Sequence, residues 1–493
     1  MLQADICQRA VRARDARFDG IFFVGITTTG VYCRPVCPAR VSYPDRRRFF
    51  DSAASAERAG YRPCLRCRPE LAPGRALMDA VPRLARLAAQ RIGAGALNGR
   101  TVAALATELG VSERHLRRAL ERELGVSPAE LAQTHRLLLA KRLLAETSLP
   151  VTRIAYASGF QSLRRFNSVF RERYRLSPSA LRRTAPAVPA LRAGPGGDFV
   201  MLTLAYRAPL DWGLVTTLLS RDAISGVATV EEGRYGRTVQ LEGRAGVVFA
   251  TNVAAKAHLG LAVSISLLPV LMPLLARLRR LFDLDAEPSV VDAHLGQHGL
   301  ARLVKRRPGV RIPGALDGFE VAMQSLIGSR AAAGDERALL AGVVAALGDP
   351  VDTGHPALTR LTPSPERIAT AGTAGLVALG VDRRAADALV AVARAVVDGT
   401  IRLEPGRDVA ATHRALMAMD GIGERMATMI VMRALYWPDA FPASDPALQR
   451  ASGVSSRSAL RASAEQWRPW RAYAAQHLWL HDEELRAKGT RAG

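Results

Sequence analysis

Four of the chain's five cysteines fall between residues 33 and 67, as a C-x3-C pair (Cys33, Cys37) and a C-x2-C pair (Cys64, Cys67) separated by 26 residues. Nothing else in the sequence restricts the local fold so tightly. Each short loop can aim two sulfurs at one point, and two such loops suit tetrahedral zinc with Zn–S bonds of about 2.3 Å. Thiols gathered at one metal site, with Cys7 alone left over, also indicate a reducing compartment. Spacing by itself fits a staple for a domain too small to hold a core. The flanking residues decide whether the cluster does chemistry.

Those flanks read Thr27-Thr-Thr-Gly30-Val-Tyr-Cys33-Arg-Pro-Val-Cys37-Pro-Ala-Arg40, then Phe49-Phe50, then Gly60-Tyr-Arg-Pro63-Cys64-Leu-Arg66-Cys67. The stretch resembles the N-terminal domain of the Ada family of DNA-repair and regulatory proteins, over residues 1–76. The resemblance implies that Cys33, Cys37, Cys64 and Cys67 hold zinc. It also implies that Cys33 takes a methyl group from a methylated backbone phosphate, and that Arg34, Arg40 and Arg66 contact DNA. Four thiolates on one zinc carry two net negative charges, so the sulfurs stay ionised and nucleophilic. A methylphosphotriester is uncharged and can approach where a phosphodiester is repelled. Methylation removes one negative charge, worth on the order of 1–2 kcal/mol toward a phosphate about 10 Å away at an effective dielectric near 20. Repair would then double as a switch for DNA binding.

The formal charge is +23, which points to a polyanionic partner. Residues 1–185 hold 33 Lys+Arg against 15 Asp+Glu, a net of +18, leaving +5 for the rest. Asp5 and the lack of a long apolar run near the start argue against a signal peptide, so a cytoplasmic protein is expected. The most apolar window, Leu259 to Ala276, contains Ser264, Ser266, Pro269 and Pro273 and runs into Arg277. It reads as a buried strand entering a buried helix, with no membrane span.

Apolar residues at helical spacing over 77–92 lead into Val102–Gly110, then Ser112 and a second helix to Leu124: helix, glycine turn, cap, helix. The pattern returns 50 residues later. Ser112, Leu116, Leu120 and Leu124 correspond to Ser162, Phe166, Phe170 and Tyr174, an internal repeat. Two such units joined by a helix over about Ala129–Ala145 resemble the AraC-type DNA-binding domain, over residues 85–183. With the apolar positions packed inward, Arg114, Arg117, Arg118, Arg164 and Arg165 are left to face duplex DNA, on phosphates or bases. Such a regulator implies RNA polymerase as a second partner.

A Pro- and Gly-rich linker spans 184–197. Alternating runs at Met201–Tyr206, Thr238–Leu241, Gly246–Ala250 and Leu261–Ser266 then predict a small antiparallel sheet, with a helix near Trp212–Leu219. Beyond Ser289 the period is helical. Leu416-Met-Ala-Met-Asp-Gly421-Ile-Gly423-Glu-Arg-Met-Ala427 has the form of a helix-hairpin-helix, with Gly421 and Gly423 baring backbone N–H groups to a DNA phosphate.

Together with Phe441-Pro-Ala-Ser-Asp445-Pro and Trp467-Arg-Pro-Trp470 to Trp479, this half resembles the AlkA-type 3-methyladenine DNA glycosylases of the helix-hairpin-helix superfamily. The resemblance implies that Asp445 drives cleavage of the N-glycosidic bond and that Trp479 lines the base pocket. Arg330, within Gly328-Ser329-Arg330, would fill the gap left by the flipped base. Arg425 stands where strand-cutting relatives carry a nucleophilic lysine and AlkA an aromatic; arginine cannot form a Schiff base, so lyase chemistry is not expected. Met429 replaces a tyrosine. No cysteine follows Cys67, which excludes the second, O6-methylguanine acceptor that Ada usually carries.

The expected architecture is multidomain and mainly α. A small zinc-bound α+β domain (1–76) precedes two helix-turn-helix bundles (85–183) and the linker (184–197). A small antiparallel sheet with helices (198–288) and an all-α helix-hairpin-helix glycosylase domain (289–493) follow. The expected function is methyl acceptance from phosphotriesters, promoter binding, and excision of alkylated purines by a monofunctional glycosylase. The competing expectation is a transcription regulator whose C-terminal half is a degenerate glycosylase used for DNA binding.

Overall fold

Phe23, Tyr32 and Phe50 are apolar positions on three short strands, and their burial shapes the first segment. In the computed structural model, residues 2–39, 42–73, 83–184, 192–194, 197–332, 334–454 and 456–489 are described. Strands β1 (Phe23–Ile26), β2 (Val31–Cys33), β3 (Arg47–Phe50) and β4 (Arg62–Pro63) form one sheet in the order β3-β1-β2-β4. Helix α1 (Ala4–Ala13) covers it through Cys7, Ala10 and Val11, and α2 (Ala53–Arg58) is capped by Ser52. Strand β2 ends on Cys33, so the sheet itself delivers the first sulfur.

Seven helices follow: α3 (Arg83–Gly93), α4 (Val102–Glu108), α5 (Glu113–Leu124), α6 (Pro128–Glu146), α7 (Val151–Ala157), α8 (Leu163–Tyr174) and α9 (Pro178–Thr184). The helix expected over 77–92 is seen from Arg83; residues 74–82 lie outside the described residues. The repeat is structural. Ser112 and Ser162 each cap their helix by accepting the N–H three residues on, at 3.2 and 3.4 Å. Leu116, Leu120 and Leu124 are buried in the first unit, and Phe166, Phe170 and Tyr174 take their places in the second. There the rings run in series from Phe160 to Tyr174, edge to face at both ends and tilted between Phe166 and Phe170.

The second sheet has six antiparallel strands in the order β5-β6-β10-β9-β8-β7. They are β5 (Arg192–Gly194), β6 (Gly197–Ala205), β7 (Ala228–Glu231), β8 (Arg234–Leu241), β9 (Arg244–Val253) and β10 (His258–Ser264). The four alternating runs supply β6, β8, β9 and β10. Strand β7 is half exposed and lacks a strict alternation. The segment expected to be pure linker contributes β5, whose backbone pairs along β6. Helix α10 (Trp212–Arg221) follows β6, and the apolar window resolves into β10, a 3-10 segment (Ile265–Val270) and α11 (Leu271–Leu281). Among the described residues no helix is long and apolar enough to cross a membrane. The sheet and the second helix-turn-helix unit share one core, in which Leu143 and Phe170 join Val200, Leu261 and Leu278.

The remainder is helical: α12 (Pro288–Leu295), α13 (Ala301–Arg306), α14 (Gly318–Gly328), α15 (Glu336–Leu347), α16 (Pro365–Ala378), α17 (Arg383–Val397), α18 (Val409–Met417), α19 (Glu424–Ala434), α20 (Pro446–Ser452), α21 (Arg457–Ala464) and α22 (Arg471–Gly489). Two cores hold them. One joins α14, α17 and α19; the other joins α20 to α22 beneath Trp467 and Trp470.

Candidate functional site

The sulfurs of Cys33, Cys37, Cys64 and Cys67 all lie within 4.8 Å of one another. That spacing, in an all-thiol set, fits one tetrahedral zinc. Two backbone N–H groups already point at the set: Arg34 donates to Cys67 Sγ and Arg66 to Cys64 Sγ, both at 3.3 Å. Cys64 and Cys67 are buried, whereas Cys33 and Cys37 are partly open to solvent. Cys7 sits apart in the α1 core, where burial pushes its thiol up to about 11.

Arg34 was expected to meet DNA, but its guanidinium turns inward. It donates from Nε to Asp19 at 2.8 Å and from Nη1 to the Cys67 carbonyl at 3.1 Å, with a side chain 16% exposed. An acid buried beside the second cysteine loop captures the cation that sequence order alone left outside. Arg66 is exposed, and Arg40 lies outside the described residues.

The cluster is braced against the helix-turn-helix module by residues that sequence reasoning missed. Lys141 of α6 donates to the Cys64 carbonyl at 3.2 Å and pairs with Glu70, both side chains almost wholly buried. Glu57 of α2 accepts from Tyr32 at 3.0 Å and from Thr134 at 2.8 Å, with Arg173 of α8 nearby at 3.8 Å. Burial outweighs these partners and lifts the Glu57 carboxyl to about 7. The sole sequence signal was an acid and a lysine at otherwise apolar helical positions.

Arg114, Arg117 and Arg118 on α5, and Arg164 and Arg165 on α8, are all exposed. They occupy matching faces of the two repeats, free for a polyanion except that Arg117 also pairs with Glu113 at 2.7 Å.

In the C-terminal half the hairpin turn joins α18 to α19. Gly421 has φ +84°, a conformation that favours glycine, and a Cβ there would crowd Ala388 at 3.2 Å. Gly423 is the exposed N-cap residue of α19. Asp445 is 8% exposed and caps α20, its Oδ1 accepting the Ala447 N–H at 2.9 Å. Its Oδ2 instead faces Nη1 of Arg425, in the first turn of α19, at 3.4 Å. Cap and candidate catalyst are thus one residue, with one oxygen for each task. Met429, one turn beyond Arg425, packs against the core that also receives Trp479 and Phe441. Arg330 is exposed at the end of α14, and its ionic partner is Asp382 at 3.8 Å, not Asp445.

In the same half Asp283 is fully buried and accepts from Tyr473 at 2.9 Å, from Tyr436, and from the Ile312 N–H at 3.1 Å. Arg311, also buried, spans the Arg207, Asp283 and Ala286 carbonyls. Burial raises the Asp283 carboxyl to about 6 against the opposing pull of Arg311. This seam joins the six-stranded sheet unit to the helical bundle.

Three family models match the chain: the metal binding domain of Ada over residues 6–70, a helix-turn-helix domain over 105–184, and the AlkA N-terminal domain over 201–317. The first contains all four clustered cysteines, which form a zinc-binding site. The chain is 38% identical over 482 residues to the probable bifunctional transcriptional activator/DNA repair enzyme AlkA of Mycobacterium tuberculosis, covering 96% of this chain and 95% of that protein. It is 32% identical over 279 residues to DNA-3-methyladenine glycosylase 2 of Escherichia coli, covering 57% of this chain and 96% of that protein. Against the regulatory protein ada of Salmonella typhimurium it is 35% identical over 161 residues, covering 32% of this chain and 44% of that protein. DNA is the partner common to the helix-turn-helix and glycosylase domains. The chain belongs to the family of bifunctional transcriptional activator/DNA repair enzymes that join Ada-type and AlkA-type domains.

Proposed function

We propose that the chain repairs alkylated DNA by two separate chemistries and reports the damage through its helix-turn-helix module. Cys33 takes a methyl group from a DNA methylphosphotriester. Its sulfur forms the new bond to carbon, the carbon–oxygen bond breaks, and the electron pair stays on the phosphate as a restored diester. Bound zinc would keep the four thiols ionised. The place of Cys33 at the end of β2, as one corner of the four-sulfur cluster, supports this reading. Asp445 serves base release from alkylated purines of the 3-methyladenine type, its Oδ2 opposing the positive charge that develops on the sugar. The observation that carries this half is a nine-tenths buried carboxylate with one oxygen left over from helix capping, 3.4 Å from Arg425 in the first turn after the Gly421–Gly423 hairpin.

Methylation would ease DNA binding by α5 and α8, and activation then requires contact with RNA polymerase, in the cytoplasm. Lys141 and Glu57 tie the cysteine domain to α6 and α8, so the charge change arises on a body fixed to the reading helices. Mass spectrometry after incubation with methylphosphotriester DNA tests the first chemistry. One methyl on Cys33 is expected, and methyl on Cys37, Cys64 or Cys67 instead would refute the assignment.

A further inference from the structure

A cleft of about 460 Å³ lies where the helix-turn-helix module meets the glycosylase half. Its walls come from both. Arg91 of α3, Asn98 of the loop after it and Tyr156 of α7 belong to the first; Arg277 and Arg280 of α11 and Glu404, ahead of α18, belong to the second. Three contacts fasten the two sides. Asn98 donates to Met272 Sδ at 3.2 Å, Arg407 donates to the Glu108 carbonyl at 3.3 Å, and Arg91 pairs with Glu404 at 3.8 Å. Ala434, the last residue of α19, also lines the cleft, which therefore lies at the far end of that helix from Arg425, about 14 Å along its axis. The function proposed above makes no use of this place.

Four arginines and three acids line the cleft, and the acids do not reach all the arginines. Arg91 pairs with Glu108 and Glu404, and Arg100 shares Glu108 at 3.1 Å. Arg277 gives one donor to the Leu316 carbonyl at 2.8 Å. Arg280 is half-buried and makes no hydrogen bond and no ion pair among the described residues; Asp285, which attracts it, is already paired with Arg279. Of the other two acids, Glu242 is exposed, and Asp317 has Oδ1 committed to the Phe319 N–H at 2.9 Å as the cap of α14. Burial, helped by the charges of Arg277 and Arg91, pushes the Arg280 guanidinium down to about 10, so it is still charged at neutral pH. An anion bound among three arginines that repel one another would stabilise them, and the five N–H groups of Arg280 offer the planar fork that phosphate oxygens fit.

The remaining lining indicates what such a phosphate is attached to. Tyr156 presents a ring that is 56% exposed, and the side chains of Gln90 and Gln161 make no hydrogen bond among the described residues. A planar base can stack on the ring while the amides meet its edge. The volume of about 460 Å³ falls within the range of small-molecule pockets, roughly 300–1,000 Å³. We propose that this cleft binds a small nucleotide, its phosphate on Arg280 and Arg277 and its base against Tyr156. Bound there, the nucleotide touches the regulatory module and the glycosylase half at once.

Isothermal titration calorimetry on the full, zinc-loaded chain tests this with AMP, adenosine and inorganic phosphate as probes. A single AMP should bind per chain, and adenosine should bind at least about tenfold more weakly. Arg280→Gln should weaken AMP binding by about tenfold or more, the effect of losing a charge-assisted hydrogen bond. Tyr156→Ala, at an exposed position, should weaken AMP several-fold and leave inorganic phosphate unchanged. Arg394→Gln removes an exposed arginine of α17 outside the cleft and should leave AMP binding as in wild type. The proposal is overturned by no AMP binding, by equal binding of AMP and adenosine, by AMP binding that neither cleft variant changes, or by equal losses in Arg280→Gln and Arg394→Gln. Displacement of AMP by undamaged duplex, with weaker duplex binding in Arg280→Gln, would also overturn it, because the cleft would then hold a backbone phosphate of DNA.

Discussion

The two chemical centres of this molecule are assembled in opposite ways. The cysteine cluster draws every ligand from a single stretch between Cys33 and Cys67, closed by a short sheet. The Asp445 site takes its carboxylate from the start of α20 and its arginine from the first turn of α19, so that it exists once two helices have docked. A metal holds the first centre and packing holds the second. They should therefore fail differently, the first abruptly with loss of one ligand and the second gradually as the packing of its half loosens.

Removing a zinc ligand is the largest perturbation available. Cys37→Ala should lose the ion and unfold the cysteine domain, because structural zinc sites commonly contribute about 10–16 kcal/mol of apparent binding energy. Zinc content and limited proteolysis would report it, while the bundle from α12 to α22 should keep its own melting transition. Retention of one zinc per chain would show that the cluster is not held as a four-sulfur site.

A gentler change sharpens the other side. Asp283 has its carboxyl raised to about 6 in the fold, above the usual carboxylate value, so the native state holds a proton that the unfolded chain has released. Its contribution to stability is full below the unfolded value, near pH 4, and is lost as pH rises through about 6. Melting of the C-terminal half should thus decline from pH 4.5 toward about pH 7, and Asp283→Asn should flatten that slope. An equally steep decline in the variant would place the titration elsewhere.

The cysteine spacing and the Ser112/Ser162 repeat were legible because both are local patterns, set by loop length and by helical period. The four alternating strands were legible for the same reason. Contacts made by docking were not. Arg425 meets Asp445 across 20 residues, Lys141 meets Glu70 across 71, and Tyr473 meets Asp283 across 190. No short-range period encodes such pairs. The pairing of Arg34 with Asp19, 15 residues earlier, is of the same kind. Strand β7 has no such signal, because half-exposed edge residues carry little alternation.

The most direct test of two separate chemistries measures protein-bound methyl and released base in one incubation with methylated DNA, for wild type, Cys33→Ser and Asp445→Asn. Cys33→Ser should lose the methyl and keep base release. Asp445→Asn should keep the methyl, keep its fold because asparagine caps α20 almost as well, and release base at least about a hundredfold more slowly, a loss of about 3 kcal/mol in transition-state stabilisation. If either variant loses both activities while still folded, or Asp445→Asn releases base at the wild-type rate, the account of two independent centres is contradicted.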